Sequence, residues 1–469
     1  MPGGYREQQT GISPESQRNA HLLFLCHPLT GHITPALRVA SELRRRGWPV
    51  SFLGPTTHRQ RISGAGVDFI PLQGVADIDD ILYYSPDNPN PPVPGYHSLL
   101  WYERALVDYE KHCLDPIPAQ WACVKEILTS LQRRDPDIPV VIISEAFFHG
   151  ILPLYLGAPL PDGVKKPRTL CISVTPPAIR SIDLPPFGYP LPFSQSPEGR
   201  ARNAQTWELF AEETSSLKSL LDAKLADAGA TSLPDGPILN GINYTCHDAI
   251  MQIGVPSFEY PRSDWPPQFQ FIGFLPLARP PPDGYPNLPG WWDELVSTDK
   301  KVVVVAQGTV ETDPNDLIIP TVEAMRGRDD VLVVAIMGRK GAGLPGDFDK
   351  PGNALVTDYL NYDAVLPYAS AWVHNGGYGA ITHGVAHGVP MVVAGEGQDK
   401  TENVRRVRFS GIGVGLGTPR PGEQDIKASL KAVLGERSFR DRVQVLRQET
   451  EDIDCFGRVE EAVSRALSN

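Results

Sequence analysis

The segment from His21 to Leu53 constrains the fold more than any other. It opens with the apolar run HLLFLC, passes through a small-residue loop from Pro28 to Ile33, continues as the periodic stretch ALRVASELRRRG, and re-extends over Val50 to Leu53. Thr34 suits an N-cap, Pro35 the first helical position, and Gly47 the C-terminal stop. Strand, loop, helix, strand in that order is a βαβ unit. Such units build parallel sheets that meet ligands at the carboxyl ends of their strands.

The same pattern recurs. Val140 to Ile143 ends in Ser144-Glu145, and Leu170 to Val174 ends in Thr175-Pro176-Pro177, both reading as buried parallel strands. Proline crowds the stretch Pro276 to Pro289 ahead of Trp291-Trp292, after which the alternation restarts: Val302 to Ala306, Val331 to Met337, Ala354 to Val356, Ala371 to Val373, and Val389 to Ala394. A chain of 469 residues is too long for one ordinary core. The expected organisation is a flexible tail (1–20), a doubly wound α/β domain (21–275), a proline-rich linker (276–292), a second doubly wound domain (293–450) and a C-terminal helix (451–469) able to pack back on the first domain. The proline-rich segments Ser85 to Tyr96 and Pro185 to Gly199 are longer than plain connections require, and read either as a specificity surface or as exposed insertions.

Charge and composition exclude several classes of partner. A net charge of −12 works against nucleic acid and anionic lipid, whose capture needs surplus Lys and Arg. The six cysteines are widely spaced without a CxxC pair, so neither zinc nor a disulfide framework is expected. Met1 to Ala20 is polar, unlike a secretory signal, and no apolar run reaches the ~18 residues of a membrane span. The expectation is a soluble, cytoplasmic protein without stable membrane insertion.

Several residues stand where chemistry is done in such folds. His32, after Gly31 in the first strand-to-helix loop, reads either as a general base on a hydroxyl or as a helix-capping histidine. Glu145 closes another strand; it reads either as a carboxylate that fixes the tautomer of His32 or as an ordinary solvated or salt-bridged glutamate. In the second half, Trp372-Val373-His374-Asn375-Gly376-Gly377-Tyr378-Gly379-Ala380 places bare backbone between a strand and a helix. That arrangement suits a diphosphate, although glycines also serve tight turns. Asp399, at the end of the next strand, could hold sugar hydroxyls. The DxD triplets (Asp77 to Asp79, Asp347 to Asp349, Asp452 to Asp454) lie in polar contexts and read as solvated, so no metal is expected.

Taken together, GHITPALRVASELRRRG, the loop Gln307-Gly308-Thr309 and HNGGYGAITHGVAHGVPMVVAGEGQDKTENV resemble the inverting glycosyltransferases of GT-B fold, the UDP-glycosyltransferase superfamily. The resemblance covers both ends of the chain and is most specific in the C-terminal signature. It implies two facing Rossmann-like domains with a cleft between them, a UDP-sugar as co-substrate rather than cofactor, and a small-molecule acceptor. Aligned without a gap from Gly388-Val389-Pro390, Asn375 rather than His374 falls on the position of the phosphate-binding histidine, and Gly377, Gly379 and Ala380 fall on diphosphate-contacting positions. The resemblance also places Thr309 at the diphosphate, Asp399 at the sugar, and Tyr359 where a nucleobase-stacking tryptophan is usual, with a core tyrosine as the alternative.

Three positions depart from the family. Lys400 replaces a sugar-contacting glutamine, His383 a ribose-binding glutamate, and Glu145 the usual Asp partner of the catalytic histidine. The implied reaction is transfer of a hexose, foremost glucose from UDP-glucose, to a hydroxyl of a small apolar acceptor such as a polyphenol, polyketide, terpenoid or sterol. An epimerase of the same fold and a non-catalytic nucleotide-sugar-binding protein remain as alternatives. An NAD oxidoreductase is disfavoured because no GxGxxG follows the first strand.

Overall fold

The computed structural model describes residues 18–279, 281, 284–308 and 313–468. They form two sheets in which every paired strand is parallel. The first contains β1 (His21–Leu25), β2 (Val50–Gly54), β3 (Asp68–Pro71), β4 (Val140–Glu145), β5 (Arg168–Ser173), β6 (Ala249–Gln252) and β7 (Phe269–Phe271), in the order β3-β2-β1-β4-β5-β6-β7. The second contains β8 (Lys301–Ala306), β9 (Val331–Ile336), β10 (Ala354–Thr357), β11 (Ala369–His374), β12 (Met391–Ala394) and β13 (Gly413–Leu416), in the order β10-β9-β8-β11-β12-β13. The strand order reverses between β1 and β4 in one sheet and between β8 and β11 in the other. At these two switch points adjacent crossovers leave to opposite faces, opening a crevice for ligand. His32 and Glu145 follow β1 and end β4; Gln307 and Asn375 follow β8 and β11.

The helix after β1 begins at Thr30 rather than at the expected Thr34, and Pro35 lies inside it. Its cap comes from far away in sequence. The carboxylate of Asp80 accepts from the Thr30 N–H at 2.6 Å and from Thr30 Oγ1 at 3.1 Å. Pro35 is tolerated because the carbonyl it fails to pair, that of Gly31, belongs to an exposed residue in the first turn. The early start places His32 within the helix's first turn.

Contacts between the two halves are direct. Arg406, on the helix Lys400–Ser410, is buried and pairs with Glu259 of the first half at 2.7 Å and with Glu402. Tyr378 Oη donates to the Ile253 carbonyl at 2.6 Å. The last helix, Cys455–Ser468, returns to the first half, packing on the helix Thr30–Arg45 and on β4 and β5. There Glu460 accepts from Arg46 at 2.6 Å and from Trp48 Nε1 at 2.8 Å. All six cysteines are unpaired thiols. Among the described residues no helix is long and apolar enough to cross a membrane.

Candidate active site

His32 Nδ1 lies 3.1 Å from Glu145 Oε1, with the histidine side chain 15% exposed and the glutamate side chain fully buried. The two atoms are close enough to interact directly, and they become an ion pair when the imidazole takes up a proton. Glu145 is itself held by the Phe147 N–H, which donates to Oε2 at 3.2 Å. Burial opposes charge on His32, but the facing Glu145 carboxylate, with smaller contributions from Asp399 and Asp80, outweighs it and raises the imidazole above its ordinary value of 6.5. A carboxylate at Nδ1 keeps the proton on that nitrogen and leaves Nε2 as the basic atom.

Aromatic and imidazole groups surround this pair. The rings of His27 and Phe147 lie edge-on to His32 at 4.8 and 5.6 Å. Burial holds His27 well below its ordinary range, with the neighbouring histidines adding to the effect, and pushes His112 down to about 3. Both therefore stay neutral when His32 takes a proton. Asp108 accepts from Tyr83 at 3.0 Å and from Tyr96 at 2.6 Å, while Tyr84 Oη sits 3.4 Å from His112 Nδ1. His149, also lowered by burial, presents Nδ1 to the Phe147 carbonyl at 2.9 Å, and its Nε2 lies 3.1 Å from Tyr109 Oη. The segment Tyr109–Leu114 is a π-helical turn, a local irregularity frequent at functional sites.

On the facing half, β11 ends at His374. Its ring is buried and stacked on Trp372 at 5.4 Å, and its Nδ1 accepts the Gly376 N–H at 3.1 Å. His374 thus serves the turn from inside, and burial pushes its pKa down to about 3. Asn375 points elsewhere: its Nδ2 donates to the Gln307 carbonyl, tying the two switch-point loops together. Gly376 has φ +89°, which favours glycine, and its carbonyl accepts from Asn403 Nδ2 at 2.7 Å. Gly377 is the N-cap of the helix Tyr378–His387 and supplies no capping side chain. Gly379 is exposed, and a Cβ there would meet nothing within 4 Å. The half-buried Ala380 gives its carbonyl to Trp372 Nε1 at 3.1 Å. A helix N-terminus with bare backbone and open space before it is suited to an anion.

The remaining expected residues divide. Gly31 is exposed beside His32, with no atom within 4 Å of a Cβ built on it. Asp399 is the residue before the helix Lys400–Ser410, accepts from Asn403 Nδ2 at 3.0 Å, and is near enough to His32 to raise its pKa. Tyr359 is 55% exposed on the loop after β10, which removes the core-tyrosine alternative. Tyr378 contributes only backbone here, because its side chain is buried and bonded to Ile253 of the first half. Lys400 is buried, with Nζ 3.1 Å from Gln398 Oε1. His383 is engaged by Asp363 at 2.8 Å. Thr309 lies outside the described residues. Asp77 and Asp79 are turn and helix caps, bonded to Thr56 at 2.7 Å and to the Leu82 N–H at 3.0 Å.

Comparison with known proteins identifies the family and the fold. Residues 322–456 match the family described as erythromycin biosynthesis protein CIII-like, C-terminal domain. UDP-glucosyltransferase 1 of Beauveria bassiana is 36% identical over 95% of this chain and 95% of its own. UDP-glucosyltransferase A1 of Starmerella bombicola is 32% identical over 98% of this chain and 94% of its own. Among solved structures, the glycotransferase of kitacinnamycin superposes with a TM-score of 0.67 at 19% identity, covering 96% of this chain and 99% of that one, which identifies the two-domain GT-B fold. The chain belongs to the UDP-glycosyltransferase superfamily.

Proposed function

We propose that the protein transfers glucose from UDP-glucose, with inversion, to a hydroxyl of a small apolar acceptor of the polyphenol, polyketide, terpenoid or sterol kind. The observation that carries this reading is the contact between His32 and Glu145 at one switch point, opposite the uncapped helix N-terminus at the other. His32 Nε2 takes the acceptor proton as its oxygen bonds to the anomeric carbon. The bond from that carbon to the diphosphate breaks, and UDP leaves with its electron pair toward Asn375 to Ala380. A single displacement from the face opposite the leaving group inverts the anomeric centre. Oriented N–H groups stabilise the developing negative charge, so the step needs neither cofactor nor metal.

The names of the two fungal relatives favour glucose and UDP. The part-buried rings of Tyr83, Tyr84, Tyr109 and Phe147 favour an apolar, ring-bearing acceptor. On this reading residues 21–275 bind acceptor, 293–450 bind donor, 276–292 link them, 451–469 clasp the first domain, and the protein works in the cytoplasm.

The test is incubation with UDP-glucose, with and without a panel of phenols and alcohols, read by mass spectrometry. Glucosides that require both substrates are expected. Isomerised UDP-sugar formed without acceptor would establish an epimerase instead, and binding without turnover a non-catalytic protein.

A further inference from the structure

Among the described residues one group gathers three metal-ligating atoms: Asp363, His383 and His387. His383 and His387 are four apart on the helix Tyr378–His387 and so share one face. Asp363 comes from the short helix Tyr362–Val365, where the Asn361 side chain caps its N–H at 2.9 Å. Asp363 Oδ1 lies 2.8 Å from His383 Nδ1 and 3.0 Å from His387 Nε2. The side chains of Asp363 and His387 are each 6% exposed and that of His383 is 29% exposed, so the cluster has a protected base and an open side.

We propose that these three residues form a divalent transition-metal site of the zinc class, clasping the donor-side helix to the segment after β10. In a tetrahedral zinc site with bonds of about 2.0–2.1 Å, neighbouring ligand atoms stand about 3.3 Å apart. The two separations from Asp363 Oδ1, 2.8 and 3.0 Å, need to widen by only a few tenths of an ångström, and all three ligand atoms lie within 4.8 Å of one another. Two imidazoles and one carboxylate are the ligand set of borderline first-row ions, and three protein ligands leave further positions for water. Tyr362 packs edge-on against His383 at 5.7 Å and against Trp372 at 5.0 Å, a wall that limits rotation of the ring. The ion plays no part in the displacement proposed above. Its presence commits His383 to ligation rather than to the ribose contact expected from the family pattern.

The test uses the full chain stripped with a chelator, then titrated with Zn2+ by calorimetry and with Co2+ by visible absorption, alongside thermal melting. Wild type and the surface control His97→Ala should each bind one Zn2+ per chain, with Tm rising by roughly 2–5 °C at saturation. His387→Ala and His383→Ala should weaken binding at least about tenfold and abolish the Tm rise, and Asp363→Ala should do the same if it folds. The Co2+ complex should show the intense bands of a low-coordinate N/O site in wild type and His97→Ala but not in the three site variants. Equal Zn2+ uptake by wild type and His387→Ala, an unchanged wild-type Tm, or a Co2+ spectrum matching the hydrated ion would overturn the proposal.

Discussion

Gln398 Nε2 donates to Tyr84 Oη across 3.1 Å, joining the loop after β12 to the aromatic wall around His32. The contact spans the cleft, from the segment that carries Asp399 to the side where the acceptor is proposed to sit. Tyr84 also touches His112 and Asp108, so its hydroxyl is shared among three polar groups. Replacing it with Phe removes the bridge while keeping the ring. A hydrogen bond of this kind contributes about 0.5–1.5 kcal/mol net. Tyr84→Phe should therefore raise the acceptor KM by roughly 2- to 12-fold with little change in Tm, measured by initial rates and thermal melting.

Two glycines near the diphosphate loop separate space from function. A Cβ at Gly395 would land 1.8 Å from the Asn375 carbonyl oxygen, so Gly395→Ala must push the loop aside. Overpacking of this sort costs about 1–3 kcal/mol or more, and Tm and UDP affinity should fall together. A Cβ at Gly379 meets nothing within 4 Å, so Gly379→Ala should fold normally. It should still raise the donor KM, because the added methyl stands where the diphosphate is proposed to approach the helix N-terminus.

Arg406 and Glu259 form the buried charged link between the halves. Deleting one partner of a buried pair leaves the other charge uncompensated, at a cost of about 3–5 kcal/mol. Glu402 still faces Arg406 after that loss, which places the expected effect at the lower end. Glu259→Ala should lower Tm by several degrees in a calorimetric scan. The histidine and its partner lie elsewhere, so kcat of the folded fraction should change little.

How much of this could be read from the chain depends on how local each cause is. The strands that His32 and Asn375 follow and that Glu145 ends announce themselves as apolar runs with small-residue loops, and parallel sheets put such loops at switch points. The helix start at Thr30 could not be read that way, because its cap is Asp80, fifty residues onward. The weak strands β3, β6 and β7 lack long apolar runs; β7 is three half-buried residues. His27 lies only five residues before His32, whereas His112 and His149 reach this region through tertiary packing that no spacing signals. His383 was legible as a departure from the family pattern, but its engagement with Asp363 and His387 required the fold. The inward turn of Tyr378 toward Ile253 likewise depends on how the two halves meet.

The central claim is that Glu145 tunes His32 as the base. Because His32 is raised above 6.5 and must be neutral to accept a proton, transfer should fall on the acid side through a pKa above that value. In Glu145→Gln the raising charge is gone and burial dominates, so the limb should move to lower pH while the plateau drops about 10²–10⁴-fold. The decisive measurement is the pH dependence of kcat/KM for wild type and Glu145→Gln, run side by side with one acceptor. A displaced limb with a lowered plateau is the predicted result; two superimposable profiles would contradict the account.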